Sequence, residues 1–315
     1  MLDLDFDDGQ RAIADAVSQF CTDRCGDDVL RECAGTFPAE LWRELAALGV
    51  FAVATPGGGG GALEVLAALE SLGRAAFPGP LAATCFALEV LPAAERDAVA
   101  KGDAVVSLGA PPLWPFGDAA RIFLEVDGEA VHRVGIRGEL EPVETLGGEP
   151  WGRGEHEREE RLEATPRAFA LLDTARAGYQ AAAGRRLVDD AAEHARTRRQ
   201  FGRAIGEFQA VAHPLADCAI ALEGAAGLAR VAAFRIDAGE PEARATAAAA
   251  RLSADRAALR AVTVAHQVFG AVGATLAGPA FHVSRRVRQL ASLPPGPEPA
   301  RARVLASLDL GGESR

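Results

Sequence analysis

Aromatic side chains are scarce in this chain: they make up 6% of 315 residues, with one tyrosine and three tryptophans. Yet 49% of the sequence is hydrophobic, and alanine fills much of that share. Alanine has the highest intrinsic helix propensity, so the composition favours a mainly helical protein. Long apolar runs are also missing. None reaches the roughly 18 residues of a spanning helix, which excludes a membrane span of that kind. Positive charge is in deficit, the formal net charge being −11 at pH 7. That argues against a nucleic-acid partner gripped through its phosphates, which demands an excess of lysine and arginine. Cysteine is limited to five residues, and Cys21, Cys25 and Cys33 lack a fourth ligand at metal-binding spacing. Small buried thiols and no metal site are expected. The opening Met1-Leu2-Asp3-Leu4-Asp5 is acidic and lacks signal-peptide features, so a cytoplasmic location is expected.

What is present reads as helices around a small β segment. Ile13, Val17 and Phe20 recur at helical spacing over 8–23, with Asp7 and Asp8 at the end where negative charge is favoured. Pro38 opens a second helix carrying Leu41, Trp42, Leu45 and Leu48, stopped by Gly49. Glycines 57–61 lack the lysine and hydroxyl residue of a phosphate loop and read as a flexible connection into a helix with Leu63, Leu66, Leu69 and Leu72. After Pro78-Gly79-Pro80 a further helix is expected over 81–91. Between 105 and 145, β-branched residues cluster around glycines, and Asp127-Gly128 signals a hairpin. The charged stretch Arg153–Arg161 reads as a solvated loop. Beyond Pro166, helices are expected to about Arg198, then over 204–237, from Pro241 to Phe269, and over 279–292. Pro214 should bend the second of these.

Between the first two of those long helices lies Arg198-Arg199-Gln200-Phe201-Gly202, followed by Gln209. The set offers guanidinium forks, amides, an aromatic face and a glycine at a helix junction. Arginine binds phosphate oxygens through paired donors, and phenylalanine offers a stacking surface, so the cluster suits a phosphate-bearing, ring-bearing ligand. The alternative is structural: the arginines solvate a helix end and Phe201 is a core plug.

The order of elements and several motifs resemble the acyl-CoA dehydrogenase family. Leu4-Asp5-Phe6-Asp7-Asp8-Gly9-Gln10 is similar to the family's opening, Leu41-Trp42 to Leu48-Gly49 to its second helix, and Leu69-Glu70-Ser71-Leu72-Gly73-Arg74 to the segment before its middle domain. The Arg198–Gly202 stretch, Phe208-Gln209, Leu215-Ala216-Asp217 and Gln267-Val268-Phe269-Gly270-Ala271-Val272-Gly273 complete the resemblance. It implies a helical N-terminal domain (1–103), a reduced β domain (104–164) and a C-terminal four-helix bundle (165–315). It further implies FAD as cofactor, with Arg198, Gln200, Phe201 and Gln209 on one side of its ADP half. Gln267, Gly270 and Gly273 would lie on a turn that approaches the same half, where glycines permit close backbone approach. In the family these groups reach an FAD seated in a neighbouring subunit, which implies an oligomer. His266 and His282 are expected to pack, not to act as acid or base.

The chain departs from the family in three respects. Between Ala104 and Ala164 there is no counterpart of the Thr-Glu-Pro…Gly-Ser-Asp loop that covers the flavin; Trp114 and Trp151 are the candidates for a flanking aromatic. The family's reaction removes a proton α to a thioester carbonyl and therefore needs a positioned carboxylate. The two positions where members carry it fall at Pro295-Gly296 and Leu172, with Asp173 one residue away, so no catalytic residue is assigned. The glycine pair of the family's turn reads Gly270-Ala271, and its tyrosine is Ala274. These departures imply the short subunit of a heteromeric acyl-CoA dehydrogenase. A full-length partner would supply base and flavin pocket and take the acyl-CoA substrate, with an electron-accepting flavoprotein to reoxidise the cofactor. Bulky acyl chains such as steroid side chains follow by analogy. The alternative is a flavin-free assembly subunit or degenerate homo-oligomer.

Overall fold

Asp7 starts the first helix through a capping box: its carboxylate accepts from the Gln10 amide at 2.8 Å, and its own amide donates to Gln10 Oε1 at 3.1 Å. Two end groups are thereby satisfied. The computed structural model describes residues 4–33, 35–276, 278 and 280–308, so the first three residues of the acidic opening lie outside it. The helices α1 (Asp8–Arg24), α2 (Asp27–Glu32), α3 (Ala39–Ala47), α4 (Val50–Val53), α5 (Ala62–Arg74), α6 (Leu81–Val90) and α7 (Ala93–Ala100) come first. Of these, α2, α4 and α7 were not expected; they are short, and brief helices leave little periodicity to read.

A five-stranded sheet follows, from β1 (Val105–Gly109), β2 (Leu113–Pro115), β3 (Ala120–Asp127), β4 (Ala130–Val143) and β5 (Trp151–Leu162), in the order β1-β3-β4-β5-β2. Only β1 and β3 are parallel. The hairpin turns at Gly128-Glu129, with Asp127 opposite Ala130. The stretch expected as a solvated loop is strand β5. Beyond its contact with β2 it pairs on one side only, so its charged side chains stay in water and form pairs such as Arg158–Glu125 at 2.8 Å. Charge on a sheet edge is how proteins blunt pairing with other chains.

The remainder is α8 (Pro166–Thr197), a strand pair β6 (Arg199–Gln200) and β7 (Arg203–Ala204), α9 (Gln209–Asp237), α10 (Ala243–Phe269), α11 (Phe281–Ser292) and α12 (Glu298–Ser307). The second bundle helix thus begins at Gln209, not 204, because residues 199–207 form the strand pair and a 3-10 turn. The helix expected from 279 is described from Phe281, Pro279 itself lying outside the described residues, and α12 was not expected. Pro214 sits in the second turn of α9, which runs through it unbroken.

Alanine explains how the bundle packs. Ala225, Ala229, Ala232 and Ala233 on α9 and Ala247, Ala250, Ala254, Ala258 and Ala261 on α10 are buried. A Cβ at Gly184 on α8 would come within 2.7 Å of Leu222 Cδ2 and 3.1 Å of the Ala258 Cα, so α8 packs tightly against both neighbours at this glycine. The bundle also anchors α5, whose Ala62 and Leu63 amides donate to the Asp237 carboxylate at 2.7 and 3.1 Å. The chain therefore runs from helices through a small mixed sheet to a helical bundle, the class expected from its sequence.

Candidate functional site

Helices α8 and α10 end side by side. The ring of His194, in the last turn of α8, lies 5.1 Å from that of Phe269, the last residue of α10, and α9 begins at the same end. Tertiary structure thereby gathers there the residues singled out around 198–209 and 267–273, which the sequence separates by nearly sixty positions.

Between α8 and α9 the chain makes a miniature hairpin, with Arg199 opposite Ala204 and Gln200 opposite Arg203. Its two loop residues, Phe201 and Gly202, have φ of 52° and 83°. A two-residue hairpin of the mirror-image kind needs positive φ at both positions, a demand usually met by Asn-Gly. For phenylalanine the conformation costs roughly 1–2 kcal/mol. Phe201 is also 93% exposed, so it is not a core plug. Its ring has an edge-on neighbour in Phe208 at 6.2 Å, and the Arg203 guanidinium stacks on Phe208 at 4.0 Å. A strained, solvent-facing aromatic contributes little to this fold and is suited to meeting something outside it.

Arg198 closes α8, and its carbonyl accepts from the Ile205 amide at 2.8 Å. Among the described residues no carboxylate forms an ion pair with Arg198, Arg199 or Arg203, whereas Arg196 beside them is paired with Glu193 at 2.8 Å. Three uncompensated guanidiniums thus form a basic island on an acidic chain. Gln200, Gln209 and Gln267 are exposed around it. Gly270, at φ 62°, ends α10. Gly273 is buried, and a Cβ there would lie 2.8 Å from that of Phe269. Taken as chemistry, this end of the bundle offers free phosphate-binding donors, amides, a stacking face and a closely approachable backbone. These are features that suit the nucleotide half of a dinucleotide.

The other candidates fall elsewhere. His266 is partly buried with Nε2 3.0 Å from Ser284 Oγ, and burial lowers its pKa. His282 is half-buried, its pKa lowered by burial and then by Arg31. Trp114 is fully buried, whereas Trp151 lines a groove of about 1060 Å³ together with Phe123, Ile136 and Arg285. The five cysteines are free thiols, and burial pushes that of Cys85 up to about 12. Among the described residues no cluster of metal-ligating side chains occurs.

At the positions where a base was sought there is none. Leu172 is 1% exposed and faces the core. The Pro295 carbonyl accepts from Arg176 at 3.1 Å and from Arg251 at 2.6 Å, while Arg176 also holds the carbonyls of Leu293 and Pro294. Asp173 is engaged by Arg251 at 3.0 Å. Arg176 is wholly buried, and desolvation pushes its pKa down to about 9. Burial raises the pKa of Asp255, which accepts from Gln180 at 2.9 Å. Sequence reasoning missed this network, although Arg251 stands four residues after Ala247 on a seam of buried alanines, a spacing that predicts burial. Where the N-terminal helices, sheet and bundle meet, the cavity bordered by Leu108, Phe116, Arg176 and Tyr179 is about 20 Å³. That is room for roughly one water.

Residues 7–94 match the family model described as acyl-CoA dehydrogenase, N-terminal domain, and residues 167–296 the model described as acyl-CoA dehydrogenase, C-terminal domain. The chain is 34% identical over 254 residues to acyl-CoA dehydrogenase IpdE2 of Mycobacterium tuberculosis, an alignment covering 76% of this chain and 77% of that protein. Among solved structures it is similar to a chain of the ChsE4-ChsE5 complex from Mycobacterium tuberculosis, with a TM-score of 0.82 at 23% identity, covering 99% of this chain and 100% of that one. It is similar also to PigA with FAD and proline, with a TM-score of 0.83 at 18% identity, covering 99% and 100% of the two chains. At these identities the structural likenesses speak to the fold.

Proposed function

The chain belongs to the acyl-CoA dehydrogenase family, and from that premise we propose that it is a subunit of an FAD-dependent acyl-CoA dehydrogenase that contributes the ADP side of the cofactor site at a subunit boundary and leaves proton abstraction to a full-length partner. The observation that carries this reading is the hairpin tip. Phe201 stands 93% exposed at a strained φ of 52°, in the segment that carries the unpaired Arg198 and Arg199. Backbone strain at an exposed aromatic is intelligible when the residue serves a contact outside its own chain.

When bound, FAD would accept the electrons of α,β-dehydrogenation of an acyl-CoA thioester. This chain's own residues would hold one end of it. Arg198 would pair with pyrophosphate oxygens through two donors, Phe201 would cover an apolar face, and Gln200, Gln209 and Gln267 would supply amide contacts. Gly270 would let the turn approach without a side chain between, while Gly273 would let the turn pack closely on Phe269 and His266. The fit is favourable because the guanidiniums are uncompensated and Gly270 is exposed with open space where a side chain would stand. Abstraction of the α-proton would fall to the partner. Here Leu172 is apolar, Asp173 is neutralised by Arg251, and the Pro295 carbonyl is tied to two arginines. The likeness to a chain of the ChsE4-ChsE5 complex supports a partner of the same family, and an electron-accepting flavoprotein would reoxidise the cofactor.

The test is co-expression with a full-length homologue followed by a visible spectrum. The expected result is a yellow complex oxidising an acyl-CoA, and loss of flavin on Arg198→Ala. A colourless complex would reject the reading in favour of an assembly subunit. Turnover by the purified single chain would instead place a base within it.

A further inference from the structure

The Gly270–Ala274 turn is poorly anchored by its own side chains. Over residues 270–276 only Gly273 is buried, while Val272 and Leu276 are 53% and 70% exposed. Internal backbone bonds, such as Thr275 N to Val272 O at 3.2 Å, shape the turn without attaching it to the bundle. Attachment falls to what lies beneath Gly273: a Cβ there would meet Phe269 at 2.8 Å and His266 Nδ1 at 3.4 Å. The His266 ring thus packs beneath the turn on one side, its Nδ1 3.4 Å from where a Cβ of Gly273 would stand. On the other side its Nε2 lies 3.0 Å from Ser284 Oγ on α11. Its neighbour Gln267 is rotated about 100° around the helix and faces solvent.

We infer that His266 is a positioning residue for the nucleotide turn: clamped between Ser284 and Gly273, its imidazole fixes the backbone that would approach the ADP half of FAD, an inference that rests on the flavin reading proposed above. A turn of small residues that must sit within contact distance of a ligand needs a rigid support, because a loose one costs affinity through the ordering it then requires. Phenylalanine or leucine at position 266 would fill the space beneath Gly273 but could not also bond Ser284, as the imidazole Nε2 does. Burial and the nearby Arg288 lower its pKa, so it is neutral at neutral pH, with one nitrogen donating and the other accepting.

The experiment has two arms. In the purified chain, amide hydrogen exchange over 270–276 is compared for wild type, His266→Ala, His266→Gln and Ser284→Ala. Exchange should quicken roughly tenfold in both alanine variants, the scale of one lost hydrogen bond. Glutamine, which can carry an amide to the Ser284 side, should recover part of the protection, and exchange within α9 should not change. In the complex with a full-length homologue, FAD affinity should fall by a similar factor in His266→Ala and recover in part in His266→Gln, while the thermal midpoint moves by no more than the roughly 1–2 °C of one lost hydrogen bond. Unchanged exchange in the turn, or unchanged FAD affinity in His266→Ala, overturns the inference alone. A wild-type complex that takes up no flavin overturns the flavin reading and the inference with it.

Discussion

Phe201→Asn should make the chain more stable and less able to hold flavin. The wild-type residue occupies φ 52°, which costs a phenylalanine about 1–2 kcal/mol but is tolerated by asparagine. Because the ring is 93% exposed, little apolar burial is lost. The loss is the edge-on contact with Phe208 at 6.2 Å, about 0.5–1 kcal/mol for such a pair. The net is a gain of up to about 1.5 kcal/mol, which for a chain of this length raises the thermal midpoint by up to roughly 2 °C. Removing a stacking face from the ligand should weaken flavin binding roughly 3- to 10-fold. Differential scanning calorimetry and fluorescence titration with FAD in the partnered complex measure the two effects. Phe201→Ala separates them, since alanine keeps the strain and should lose affinity without gaining stability. Destabilisation by more than about 1 kcal/mol in the asparagine variant would show that the ring holds the fold together. An unchanged FAD affinity would remove Phe201 from the site.

Further predictions concern the charged groups. Arg198→Ala should lower FAD affinity roughly 10- to 100-fold, the worth of a charge-assisted contact, and leave the thermal midpoint in place because the side chain is unpaired; a comparable drop in stability would assign it a structural role. Arg251→Met removes the ion-pair partner of partly buried Asp173 and buried Asp255 and should cost about 3–5 kcal/mol by urea unfolding, so a loss under 1 kcal/mol would contradict the network described here. Glu129, on the β3–β4 turn, is gripped by Arg244 and Arg303 from the bundle, and its hydrogen bond to Arg244 chiefly holds its pKa below the ordinary 4.5. A depressed carboxylate contributes stability that is present above that value and lost as pH falls through the folded one. Glu129→Gln should therefore flatten the acid limb of a urea-midpoint profile below about pH 4.5, whereas an identical limb in the variant would remove Glu129 from that dependence.

Much of this architecture is local and was legible without coordinates. Alanine-rich periodic segments form the long helices because propensity and an apolar seam agree, and the Asp127-Gly128 hairpin follows from turn chemistry. The arginine–phenylalanine–glycine stretch was recognisable as a ligand-binding candidate, and the absence of a base at Leu172 and Pro295 could be read off directly. Burial and non-local pairing were decided only when the chain closed. A run such as Arg153–Arg161 becomes a strand because β4 supplies a partner on one side while water remains on the other. Arg176 and Arg251 tolerate the interior because carbonyls from residues 293–295, more than forty positions away, satisfy them. Phe201 faces outward because a two-residue hairpin forces its backbone into a conformation that no hydrophobicity pattern encodes. His266 gains its contacts because Gly273 and Ser284 converge on it from separate segments. Sequence alone determined the elements and the residue types at the end of the bundle that carries the Arg198–Gly202 hairpin. Tertiary structure decided which side chains are exposed, which are neutralised and which support others, since those outcomes depend on neighbours brought together across the chain.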